Sequence, residues 1–369
     1  MKSSLPLIVT LILLPIVVTA QSTPRYEVDA SWPRTLPNNM ILGQVAGIAV
    51  SSDDHIWLVH RPKSVNESEM GQILDPPSAE CCVPAPSVIE LDQEGNFLQA
   101  WGGPTWNRET QQWQQPEYDW PLNEHGIFID DEDNVWLAGN GDNHIVTRFT
   151  RDGEHLMTVG IPGETGGSND TVRLGRPADI AVDTDANELY VADGYLNRRV
   201  IVFDSETGAY KRHWGAYGEV PDDGPLPAYT PESEPIRQFR GPVHSVLLTR
   251  DGEVFVSDRT SNRLQIFDRD GAFIREEILS PMTLGNGSVW DMEISSYDDA
   301  QWLFVVDGRN MLLRIVDLES LSIVGTIGRG GRQAGQFDWV HNLAVDTDGN
   351  IYTAEVNDGR RVQKFVRVD

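Results

Sequence analysis

Three histidines stand in similar surroundings: His125 in "EHGIFID", His244 in "VHSVLLT" and His341 in "VHNLAVD". Each imidazole sits at the mouth of a short apolar run, where Val or Ala would be the easy choice. Three neutral imidazoles with a fourth position open are a recurring ligand set for catalytic zinc. Such a metal polarises a bound oxygen or lowers the pKa of a bound hydroxyl. The three lie far apart in the chain, so a fold has to bring them to one point.

That fold is legible as a repeat. Six segments share an apolar strand, an acidic Gly/Asn-type turn and a second strand. They begin at Gly47, Gly126, Asp179, Ser245, Asp291 and Asn342, and two continue into a third strand, "NRRVIVFD" and "NRLQIFD". Dense short strands separated by turn residues predict an all-β fold, and six such units predict a six-bladed β-propeller around a central channel. The chain ends on "RVQKFVRVD", a third strand, and "RYEVDASW" near the mature N-terminus alternates like a strand. It is expected to complete the sixth blade and close the ring. Residues 21–369 read as a single domain, with insertions at about 62–120 and 210–240. The first is expected to cover one face of the ring.

Aligning the units gives the histidines a common phase. The residue before each first strand is, in order, Ala46, His125, Ala178, His244, Trp290 and His341. Alternate blades of a six-bladed ring are related by about 120°, so three imidazoles at one height would face the axis. His55, His60, His144, His155 and His213 lack this phase and read as structural or solvent-facing. The turn after the second strand places Arg61, Tyr195 and Arg259 at one mouth of the channel. Two guanidiniums suit an anionic substrate, and a tyrosine beside a metal and two cations can act as a base. Asp193 and Asp258 read alternatively as struts for nearby arginines.

The chain has 369 residues, enough for a large core, and a net charge of -27. Such acidity repels phosphate backbones and anionic lipid, so nucleic acid is not an expected partner. Residues 1–20 read as a signal peptide: Lys2, the apolar "LPLIVTLILLPIVV" and "VTA" before Gln21. The apolar run is short for a membrane span and holds Pro6 and Pro15, and no later segment is long and apolar enough. A secreted or periplasmic protein without a membrane span is expected. Asn66, Asn169 and Asn286 fit glycosylation acceptors. Cys81 and Cys82 are adjacent and, in an oxidising compartment, are expected to form a vicinal disulfide without catalytic role.

The units resemble NHL repeats, and "YVADGYLNRRVIVFD" from Tyr190 to Asp204 carries that likeness. Within that class the chain resembles peptidyl-α-hydroxyglycine α-amidating lyase over about Leu42 to Phe365. The matching motifs are "LGQVAGIAV" with His60-Arg61, "HGIFID", "DGYLNRRV", "VHSVLLT" with "SDR", and "FDWVHNLAVD". The resemblance implies zinc on His125, His244 and His341, a catalytic Tyr195, and Arg61 and Arg259 holding the substrate. It also implies a structural calcium site at Ile48, Ile127 and Asn342. Trp339 stands where the lyase has Met and is expected to narrow the substrate pocket. Asn342 replaces the lyase's calcium-site acid, and Leu196 stands where the lyase has a disulfide Cys. The implied reaction is cleavage of an α-hydroxyglycine-type C–N bond to an amide and glyoxylate, on a peptide or small-molecule substrate carrying a carboxylate. Two other classes compete. One is a non-catalytic exported NHL propeller that binds a protein or glycan. The other is a metal-dependent, lactonase-like hydrolase, ranked third because such propellers hold calcium with carboxylate and Asn ligands.

Overall fold

The computed structural model describes residues 23–297 and 301–368; the signal-peptide stretch lies outside them. Six four-stranded antiparallel sheets succeed one another along the chain as the blades of a propeller. Their innermost strands are Gln44–Val50, Glu124–Ile129, Asp179–Asp183, Val243–Leu248, Asp291–Ile294 and Val340–Val345. The sheets are numbered blades 1 to 6 in the order of these strands. In blades 1 to 5 the strands follow in sequence order from the axis outward. In blade 6 the outermost strand is Tyr26–Asp29, which pairs antiparallel with Val362–Arg367.

Second strands are buried on both faces because neighbouring blades cover them. Leu189, Tyr190, Val191 and Ala192 are each 0% exposed, which is why these strands read as continuous apolar runs rather than alternations. Tryptophans seal two outer seams. The Trp101 ring of blade 1 packs on Gly153 in blade 2, and the Trp214 ring of blade 3 packs on Gly271 in blade 4. Both glycines have positive φ, and an added Cβ would lie 2.6 Å from the indole. Only glycine suits both demands.

In blades 3, 4 and 6 an ion pair ties the blade to the loop that enters it. In blade 3, Asp193 ends the second strand, Arg199 begins the third, and the two face each other across the ladder. Asp193 accepts from the Gly175 N–H, while Arg199 donates to the carbonyls of Ser168, Asp170 and Arg173. Blade 4 repeats the clamp with Asp258 and Arg263, and blade 6 with Glu355 and Arg361. Blade 1 has His60 instead. It accepts from the Gly43 N–H through Nδ1 and donates from Nε2 to the Pro86 carbonyl. Burial lowers its pKa to about 4, so it is neutral. The strut reading of Asp193 and Asp258 thus describes their contacts, although the struts run within a blade and to its entering loop.

Two sequence expectations need correction. The 62–120 segment is not one irregular insertion, because Val88–Leu91 and Phe97–Trp101 within it are the outer strands of blade 1. Likewise Tyr210–Trp214, inside the 210–240 segment, is the fourth strand of blade 3. The Pro- and Trp-rich flanks hid these strands. Cys81 and Cys82 are bonded to each other in the first of these segments. Among the described residues no helix is long and apolar enough to cross a membrane.

Arg199 and Asp193 are both fully buried. Arg199→Met leaves a buried carboxylate unpaired and should cost roughly 3–5 kcal/mol. The check is a fall in the urea midpoint at unchanged m. A second expectation concerns pH. Burial disfavours the Glu188 carboxylate, but hydrogen bonds from Arg212 and Tyr190, with Lys211 nearby, outweigh it and pull its pKa from 4.5 to about 2. The ionised form is therefore favoured by folding. Its contribution is full above about pH 4.5 and is lost as pH falls toward 2. The Tm gap between wild type and Glu188→Gln should be widest at neutral pH and narrow steadily below pH 4.5.

Candidate metal centre

The three histidines do not precede their strands, as the alignment placed them. They lie at the second position of the innermost strands of blades 2, 4 and 6. The pairing register shifts beside each, between Glu124 and Gly126, between Val243 and Val246, and between Val340 and Asn342. A bulge re-aims a side chain that regular pleating would send elsewhere. Here the three rings meet on the axis, with centroid separations of 4.8 Å (His125–His244), 4.6 Å (His125–His341) and 5.0 Å (His244–His341). One ligand nitrogen from each lies within 4.8 Å of the others.

The Nδ1 atoms explain the geometry. His125 Nδ1 lies 2.8 Å from the Ala178 carbonyl, His244 Nδ1 2.6 Å from that of Trp290, and His341 Nδ1 2.7 Å from that of Ala46. Those acceptors are the same-phase residues of blades 3, 5 and 1. Each histidine therefore donates to the next blade around the ring, and the carbonyl fixes the tautomer with a free Nε2 lone pair. Burial is the main cause that depresses the imidazole pKa values; next come the other two histidines for His125, Arg259 for His244 and Arg61 for His341. His341 falls to about 3, and His125 and His244 lie well below the usual value. Three neutral, converging imidazoles fit a borderline divalent ion such as zinc.

Tyr195 bridges two of the rings. Its hydroxyl is 2.9 Å from His125 Nε2 and 3.2 Å from His244 Nε2. Arg259 donates to the same hydroxyl at 3.3 Å, and its guanidinium lies 4.7 Å from the Trp290 ring. Its buried Nε has no protein partner. Arg61 donates from Nε to the Glu124 carbonyl at 2.9 Å and from NH1 to Gln44 Oε1 at 2.9 Å. Burial lowers the pKa of Arg61, opposed by Glu124 and Tyr195. A guanidinium nevertheless stays charged in proteins. Arg61 also borders a cavity of 380 Å³ that Lys63, Trp120 and Leu122 help to line. Trp339 has φ of 62° and packs against Trp290 with centroids 5.8 Å apart and planes tilted by 44°, and Trp290 in turn edges His341.

Ile48, Ile127 and Asn342 face a different space, a cavity of 270 Å³ that Asp179, Asp291 and Glu293 also line. Asn342 Nδ2 donates to Asp291 at 3.1 Å, and its Oδ1 lies against His341 Nδ1. Burial raises the pKa of Asp291 to about 6 and of Glu293 to about 7. Sequence reasoning missed Gln44 and Glu124, which seat Arg61. Glu124 is itself buried, taking hydrogen bonds from Ser87 Oγ and Trp120 Nε1 at 2.9 Å each. It adjoins His125 in the chain, so its neighbour was the available signal. The carbonyl role of Ala46, Ala178 and Trp290 was also missed, although their phase was in view. The other five histidines are not part of the centre; His55, for one, pairs with Glu90 and sits beside Arg151.

No family model matches the chain. Relatives do. The chain is 25% identical over 363 residues to the mouse protein "NHL repeat-containing protein 3", covering 93% of this chain and 84% of that one. It is 25% identical over 367 residues to a Drosophila melanogaster peptidyl-alpha-hydroxyglycine alpha-amidating lyase, covering 92% and 60% respectively. Its homologues are thus NHL-repeat proteins and amidating lyases, at modest identity. Among solved structures, a streptogramin B lyase matches with TM-score 0.52 and 12% identity, covering 93% of this chain and 98% of that one. That likeness supports the propeller fold.

A Cβ on Gly126 would lie 2.8 Å from the Ala178 oxygen, the acceptor that holds His125. Gly126→Ala should therefore shift that carbonyl and weaken metal binding about tenfold, as loss of an outer-sphere partner does. Metal competition against a chromophoric chelator measures it.

Proposed function

We propose that this protein is an exported zinc-dependent carbon–nitrogen lyase. It cleaves an α-hydroxyglycine-type substrate to an amide and glyoxylate. The observation that carries the reading is the Tyr195 hydroxyl, held between His125 Nε2, His244 Nε2 and Arg259 at the point where the three imidazoles converge. On this reading Tyr195 is the proton-transferring group and Arg259 the carboxylate-binding cation, and the contacts among Tyr195, Arg259 and the histidines support it. The amidating lyases among the relatives support the choice of reaction.

His125, His244 and His341 would hold the ion through Nε2. A zinc ion there supplies Lewis acidity toward the substrate hydroxyl. Arg259, with a free Nε–H, and Arg61, seated by Gln44 and Glu124, bind the substrate carboxylate. As the phenolate, Tyr195 takes the hydroxyl proton while the C=O of glyoxylate forms and the C–N bond breaks. It returns that proton to the leaving amide nitrogen, so the substrate atoms divide completely between amide and glyoxylate. Trp290 and Trp339 form an apolar wall beside the site that excludes water and limits substrate size. The cavity bordered by Arg61 and Lys63 accommodates the part of the substrate beyond the scissile bond. The carboxylate-lined cavity at Ile48, Ile127 and Asn342 offers oxygen donors suited to a structural calcium ion.

The test is glyoxylate release from an N-acyl-α-hydroxyglycine by the zinc-loaded protein. Tyr195→Phe should lower kcat by at least about 100-fold with little change in KM, the loss expected of a missing acid–base group. Arg259→Ala should raise KM and lower kcat/KM about 100-fold or more. A zinc-loaded wild type that releases no glyoxylate would contradict the reading and favour a propeller that only binds.

A further inference from the structure

A second cavity lies away from the axis, between the 221–240 loop and the end of blade 4. It measures about 170 Å³. Tyr229, Pro235 and Ile236 of the loop give it apolar lining, as do Ile278 at the end of the last strand of blade 4 and Pro281 just after it. Neither Arg259 nor any of the three histidines lines it, although Ser261 belongs to the same Arg259–Ser261 turn.

Against these apolar walls stand donors without acceptors. Arg240 Nε, Ser261 Oγ and Arg263 Nε are buried and have no protein partner, and all three residues line the cavity. Ser261 is 5% exposed and Arg263 1%. The remaining Arg263 nitrogens are committed to Asp258, to Tyr217 and to the carbonyls of Ile236 and Gln238. Arg240 donates to the Pro227 carbonyl and lies 5.8 Å from the Tyr229 ring. Among the described residues it makes no ion pair. Asp258, which acts on it electrostatically, is already engaged by Arg263 and by the N–H groups of Arg240 and Gly241. Buried donors are ordinarily satisfied, so a cluster of orphans around a cavity calls for an acceptor inside it.

We propose that this cavity is a binding site for a small monocarboxylate with an apolar body. The carboxylate accepts from Arg240 and Ser261, and the hydrocarbon part packs on Ile236, Ile278 and the prolines. A cavity of about 150 Å³ holds a benzene-sized group, so benzoate or a short-chain fatty acid matches the space. Glu234 lines the rim and is exposed. A second negative charge on the ligand would meet it, which selects against dicarboxylates.

The test is calorimetric titration of the mature protein with benzoate, benzamide and phthalate. Benzoate should bind, benzamide and phthalate should bind at least about tenfold more weakly, and Arg240→Gln should lose about tenfold or more in benzoate affinity. Arg61→Ala should leave benzoate affinity unchanged, which separates this cavity from the central site. If Arg240→Gln fails to fold by circular dichroism, Ser261→Val reads the same cavity and should show a similar loss. No benzoate binding at about 10 mM would overturn the proposal. So would binding that survives Arg240→Gln or Ser261→Val, or binding lost in Arg61→Ala.

Discussion

Each of the three axial histidines is held by the backbone of the next blade. His125 is held by Ala178, His244 by Trp290 and His341 by Ala46. A carbonyl cannot be removed by substitution, and it fixes ring orientation, tautomer and height together. The third of these bonds joins blade 6 to blade 1, so the histidine cluster is complete only when the ring is closed. Side-chain bonds between the same two blades, from Gln93 to Asp346 and from Thr347 to Asp54, reinforce that seam.

Holding three imidazoles dry costs solvation, and two guanidiniums close by add to it. The fold answers by keeping the rings neutral and by giving every ring nitrogen a partner or a line of sight to the axis. The polar groups around the site follow the same economy. Arg61 is seated on Gln44 and the Glu124 carbonyl, while the Glu124 side chain is satisfied by Ser87 and Trp120. Arg259 is the exception, with an unspent Nε beside Tyr195. A rigid ring of clamped blades can carry such an unsatisfied group, since the buried Asp258–Arg263 pair secures the strands on either side of its turn. The unspent donor is then available to an anion from outside.

Much of this was legible in the sequence. The repeat units gave the blades, and their alternating phase picked the three histidines before any contact was known. The bulges were not legible. They place His125, His244 and His341 inside their strands, and no residue type marks them except the glycine after His125. Backbone acceptors are invisible to side-chain patterning, so Ala46 and Ala178 looked inert. The outer strands of blade 1 were hidden because Pro and Trp on both sides made the whole 62–120 stretch read as loop. His60 takes the place of an Asp–Arg clamp in blade 1, and a histidine there carries no sign of that equivalence. The reading of Tyr195, Arg61 and Arg259 came from their turn positions. The structure brings Tyr195 and Arg259 into hydrogen-bond contact, while Arg61 is seated on Gln44 and the Glu124 carbonyl.

If the three same-phase histidines bind zinc together through Nε2, zinc K-edge X-ray absorption on the metal-loaded protein will show it. The expected result is one zinc per chain with three imidazole nitrogens and one further light-atom ligand at about 2.0–2.1 Å. Sulfur scattering, an oxygen-only shell, or a spectrum unchanged when His244 is replaced by Ala would contradict it.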